Sequence, residues 1–125
     1  MPRAAWEARH DAAPIEPASL ASEGFVHCTD GADELIATAN RHYAADPQPF
    51  VALSIDLDTL AVAWRYDVPG SPYPHVYGPI AAGAIAAVAA LRREPGGRFI
   101  GLDETEEVLA PLTRAGRLGR MDRKA

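Results

Sequence analysis

The sequence predicts an α+β fold in which small, mainly antiparallel sheets are flanked by helices. Two observations carry this. The segments read in the order strand, helix, three strands, helix, strand, helix, so strands outnumber and cluster apart from helices. The loops between the strands are short and hairpin-like, which argues against a doubly wound sheet.

Trp6 to Ala13 reads as a short helix stopped by Pro14 and Pro17, and Ala18 to Glu23 as a turn or short helix. Gly24 to Thr29 follows as a strand. Asp30 then serves as N-cap of a helix with Asp33 and Glu34 in its first turn and Leu35, Ile36, Ala39 and Tyr43 on one face, ended by Asp46-Pro47-Gln48-Pro49. Phe50 to Ile55 is a near-continuous apolar run, the pattern of a strand covered on both faces. In a second strand, Leu60 to Val68, Val62, Trp64 and Tyr66 alternate with Ala63, Arg65 and Asp67. Pro69 to Pro72 is a loop, and a strand through His75 follows. Ala82 to Arg93 is expected as an apolar helix, with Ile85, Val88 and Leu91 at helical spacing. Gly96-Gly97 leads into the strand Arg98 to Leu102, and Glu104 to Ala115 fits a final amphipathic helix.

At 125 residues, 48% hydrophobic and 23% charged, the chain suits a single domain over 1–125. A net charge of −5 argues against a nucleic-acid surface. Basic residues gather only between Arg114 and Lys124, so 116–125 reads as a flexible basic tail. The single cysteine, Cys28, excludes an internal disulfide and a multi-cysteine zinc site. The most apolar segment stops at Arg92-Arg93, short of a membrane span, and no signal-peptide core is seen in the first residues. A cytoplasmic protein with no membrane or nucleic-acid partner is the expectation. Nothing in the sequence sets an oligomeric state.

Chemistry concentrates in Gly24 to Asp30 (GFVHCTD) and Pro72 to Ile80 (PYPHVYGPI). Alternation places His27 with Phe25 and Thr29 on one face, and Val26 and Cys28 on the other. His75 shares a face with Tyr73 and Tyr77. Should the two faces meet, they form a polar, aromatic-lined pocket with two imidazoles. Cys28 points away from His27 and is expected to pack as a small apolar side chain. No pair among His27, His75 and Asp67 has a recognised metal-ligand spacing, so no metal is expected.

The run SLASEGFVHCTD, a following helix, an apolar strand ending in Ile55-Asp56, and then YPHVYGPI resemble the bacterial family catalogued as domain of unknown function 952. Its members show Glu-Gly-Phe-Ile-His-Cys-Ser and Phe-Pro-His-Ile-Tyr-Gly-Pro runs, and the likeness covers roughly Trp6 to Val88. The resemblance implies an ADP-ribosyltransferase-like split β core, with NAD or a related nucleotide bound between two small antiparallel sheets. Family members begin with a strand ahead of the tryptophan matched by Trp6. Only five residues precede Trp6 here, so that strand is expected to be truncated, replaced or lost to a mis-set start codon. Asp67 stands where members often carry glutamate.

On this reading His27 and His75 fix the ligand's pose, while Asp67 stabilises positive charge on a ribose as the nicotinamide–ribose bond breaks. Thr29 donates to a phosphate or ribose, or is a turn residue. Tyr77 stacks on a ring, Tyr73 lies on the same face, and Gly78 allows close approach or serves a turn. The function expected is an ADP-ribosyltransferase-like protein that binds NAD or a related nucleotide and cleaves or transfers ADP-ribose. The alternative is a non-catalytic module for a small molecule or a protein partner.

Overall fold

A computed structural model of the chain describes residues 1–103, together with the backbone of 107–108 and 119–121. The helices are α1 (Arg3–Ala8), α2 (Ala18–Glu23) and α3 (Ala32–Tyr43). The strands are β1 (Val26–Asp30), β2 (Val51–Ile55), β3 (Trp64–Arg65), β4 (His75–Val76), β5 (Ile85–Arg93), β6 (Phe99–Leu102), β7 (Glu107–Val108) and β8 (Gly119–Met121). Every pairing is antiparallel. Two three-stranded sheets, β3-β4-β1 and β2-β5-β6, are joined through β8, which pairs with both β1 and β2, while β7 pairs with β5. This is a small α+β fold.

The core lies on both sides of the β2-β5 ladder. Val51, Leu53 and Ile55 point into one cluster with Val26, Cys28, Val76, Ile80, Ile85 and Val88. Phe50 and Ala52 point into the other, where Leu35 and Ala39 of α3 meet Leu91 and Phe99. Burial on both faces accounts for the unbroken apolar run of β2. Asn40 ties α3 to β6: its Nδ2 donates to the Phe99 carbonyl at 3.0 Å, and its Oδ1 accepts from the Phe99 N–H at 2.8 Å.

The helix expected over Ala82 to Arg93 is overturned. Ala82–Ala84 form one 3₁₀ turn and Ile85–Arg93 is the long strand β5. Its three-residue spacing has a different origin. Ile55 pairs with Ile85 but Ser54 with Ala87, so a bulge carries the inward face from Ile85 to Val88. Leu91 then belongs to the opposite face, in the second cluster. Alanine's helix propensity is overridden because both faces of this segment are covered and both its edges are paired.

Other boundaries shift. α1 ends at Ala8, and Asp30 is the last residue of β1, with Gly31 (φ 85°) as N-cap of α3. The strand expected over Leu60 to Val68 is reduced to Trp64–Arg65. Met1 and Pro2, ahead of α1, run beside β2: Met1 exchanges backbone hydrogen bonds with Val51, and Pro2 bridges Phe50. Most of the helix expected over 104–115 lies outside the described residues, and Glu107–Val108 within it are β7. The tail expected over 116–125 also lies mostly outside them, its described part being β8. Among the described residues no helix is long and apolar enough to cross a membrane.

Candidate functional site

The two histidines are brought together by strand register. His27 of β1 pairs directly with His75 of β4, and His75 pairs on its other side with Arg65 of β3. Residues directly opposite on antiparallel strands share a face. Arg65, His75 and His27 therefore form one row across three strands, on the face opposite Val26 and Val76, which are fully buried. Prolines shape this part of the sheet. The N–H groups of Cys28 and Asp30 donate to the carbonyls of Pro74 and Pro72. Proline has no N–H to return, which is why the β1-β4 ladder is regular for only two residues.

Aromatic rings flank the row. Phe25 stacks on His75, with ring centroids 3.9 Å apart and planes inclined by 16°, and lies 4.8 Å from the His27 ring. The two imidazoles are 5.5 Å apart, edge to face. The Arg65 guanidinium sits 4.1 Å over the Tyr77 ring, a cation–π contact. His27 and His75 keep 24% and 17% of their side-chain surface open to solvent, so both are reachable from outside.

Each imidazole is backed by a carboxylate. Asp67 accepts from His75 Nδ1 at 2.7 Å, from Arg65 Nε at 2.7 Å and from the Tyr77 hydroxyl. Glu23 accepts from His27 Nε2 at 3.1 Å. An ionised carboxylate only accepts, so the proton must lie on His75 Nδ1 and on His27 Nε2. His75 Nε2 and His27 Nδ1 are then the nitrogens left for other work. The hydroxyl of Tyr77, the His75 ring and Arg65 hold the Asp67 carboxyl well below the usual carboxylate range. The same carboxylate raises the Tyr77 phenol, chiefly because ionisation would lose the hydrogen bond its hydroxyl donates to Asp67.

Glu23 reaches His27 through a helix end. Gly24 closes α2 in the left-handed conformation (φ 89°), with its N–H on the Leu20 carbonyl, and turns the chain into β1 so that Glu23 lies back over His27.

The remaining expected site residues fall in different places. Tyr77 is in the cluster. Tyr73 is bound to α3, its hydroxyl accepting from Arg41 at 2.8 Å and donating to Glu34 at 3.3 Å. Thr29 is fully buried, with Oγ1 lacking a hydrogen-bond partner among the described residues. Gly78 is a packing position, since a Cβ there would come within 2.7 Å of Val62 Cγ1. Arg65, Glu23 and Phe25 were not singled out from sequence. Alternation along the Trp64 strand does place Arg65 with Asp67, whereas Glu23 depends on the Gly24 turn.

A groove of about 400 Å³ is lined by Met1, Arg9, Ile15 and Pro17, and a second of about 370 Å³ by Ala44, Pro47, Arg93 and Gly97; neither contains either histidine. The His row is the better candidate, because it joins two imidazoles, a guanidinium and stackable rings on one face. Among the described residues no three His, Cys, Asp or Glu side chains converge to hold a metal ion.

Residues 1–88 match the family model described as "Protein of unknown function (DUF952)". Neither a curated protein nor a solved structure matches the chain.

Proposed function

The chain belongs to the DUF952 family, and from that premise we propose that it binds NAD or a related nucleotide on the histidine-bearing face of β3-β4-β1. The observation that carries this reading is the Arg65–His75–His27 row. A nucleotide needs a cation near its phosphates, a ring to stack on and polar groups for its ribose. Arg65 supplies the first, the half-buried rings of Tyr77 and Phe25 the second, and the remaining imidazole nitrogens the third. The ADP-ribosyltransferase-like grouping that the family likeness implies is consistent with a nucleotide held over small antiparallel sheets. The reaction it implies is cleavage or transfer of ADP-ribose.

A specific observation supports a second reading, a non-catalytic binding module. Breaking the nicotinamide–ribose bond develops positive charge on the ribose, which calls for an uncommitted carboxylate. Asp67 already accepts from three donors.

Calorimetric titration with NAD tests the proposal, with His27→Ala and His75→Ala alongside after circular dichroism confirms their fold. Saturable binding by the wild type and its loss in both variants is the expected result. A well-folded wild type that does not bind contradicts it.

A further inference from the structure

We infer that His27 and His75 are a general acid–base pair acting at phosphorus, so that the site hydrolyses a phosphodiester or phosphoanhydride bond of its nucleotide. The inference deepens the nucleotide-binding proposal and rests on it for the substrate class.

Its ground is the symmetry of the two imidazoles. Each is largely buried but keeps some surface open to solvent, each has one ring nitrogen committed to a carboxylate, and they lie on one sheet face with ring centroids 5.5 Å apart. A carboxylate behind an imidazole fixes its tautomer and orientation and supports the imidazolium that forms on accepting a proton. One such couple makes a base. Two couples facing one surface make a base and an acid, which is what displacement at phosphorus by water requires. The groups around the pair suit that chemistry. Arg65 brings positive charge beside His75, while Asp67 and Glu23 bond to the imidazoles themselves and Tyr77 bonds to Asp67.

The step balances without an oxidant or metal. One neutral imidazole takes a proton from water as the water oxygen bonds to phosphorus. The bond from phosphorus to the leaving oxygen breaks, and the other, protonated imidazole gives its proton to that oxygen. One ester or anhydride bond and one water become two products, and proton exchange with solvent resets the pair. Asp67 and Glu23 are positioning residues, since they act through the histidines.

The test uses the full chain with two probes, NAD and bis(p-nitrophenyl) phosphate, with products separated chromatographically. Attack at phosphorus converts NAD to AMP and nicotinamide mononucleotide. Cleavage at the ribose instead releases nicotinamide and ADP-ribose. The inference predicts the former pair, or p-nitrophenolate from the second probe, with a bell-shaped pH dependence. Turnover should fall about 10²–10⁴-fold in His27→Ala and His75→Ala and be unchanged in His42→Ala, an exposed position on α3. His27→Gln and His75→Gln serve where an alanine variant fails to fold. Glu23→Gln should displace one limb of the pH profile, which a merely structural role would not do.

Nicotinamide release alone overturns the inference while sparing the nucleotide site. NAD binding with no turnover of either probe overturns it too. Histidine-dependent cleavage of bis(p-nitrophenyl) phosphate without NAD binding upholds it and removes NAD as the ligand. Turnover indifferent to both histidines overturns it.

Discussion

Asp67 ties three of the site's side chains together, accepting from Tyr77, His75 and Arg65 at once. Those contacts hold its carboxyl well below the usual range, and an unfolded aspartate titrates near about 3.9. The stabilisation linked to this shift is therefore complete above roughly pH 4 and is lost as pH falls through the folded value. Chemical unfolding measured at several acid pH values should show a shallower loss of stability below roughly pH 4 in Asp67→Asn than in the wild type. Parallel curves would mean the contacts do not bias the titration. Gly78 gives a second test. A Cβ there meets Val62 Cγ1 at 2.7 Å, and valine's stiff χ1 leaves little room to yield. Gly78→Ala should lower stability by about 1–3 kcal/mol, read from the denaturant midpoint. Much of that loss should return in the background of Val62→Ala; independent, additive effects would place the strain elsewhere.

Helix α3 and strand β6 are joined by one amide, with Asn40 closing both hydrogen bonds of the Phe99 backbone. Removing it strands a donor and an acceptor, so Asn40→Ala should cost about 1–3 kcal/mol. A change below a few tenths of a kcal/mol would show that water replaces the amide without loss. Strand β5 carries the clearest lesson about reading elements from sequence. Period and composition both favour a helix at Ile85 to Leu91, because a bulge followed by a change of face reproduces a three-residue spacing. Neither feature is local: both depend on β2 and on the two core clusters. Strand β2 was legible for the opposite reason, its unbroken apolar run stating directly that both faces are covered. Hydrogen exchange should accordingly find the slowest amides in β2 and β5, near Leu53 and Val88, which pair across the ladder. Fast exchange there would contradict a strand at the centre of the sheet.

At the scale of the molecule, α3 and one core cluster cover one face over β2, β5 and β6, and the histidine row is carried by β3, β4 and β1. That His27 and His75 each point to one face of a strand was legible from alternation within two short motifs; that β1 pairs with β4 and joins those faces was not. Nor were the places of Glu23 and Thr29. Glu23 joins through the left-handed turn at Gly24, and the depth that buries Thr29 comes from packing that no local pattern records.

Where a nucleotide sits is the claim on which the rest depends. The direct measurement is an NMR titration of isotopically labelled protein with NAD, following backbone amides and imidazole signals together. The account predicts saturable shifts concentrated at 25–29, 64–67 and 75–78, with the His27 and His75 rings among the largest. Shifts gathered instead around Arg9, Ile15 and Pro17, which line the 400 Å³ groove, or no shifts at all, would contradict it.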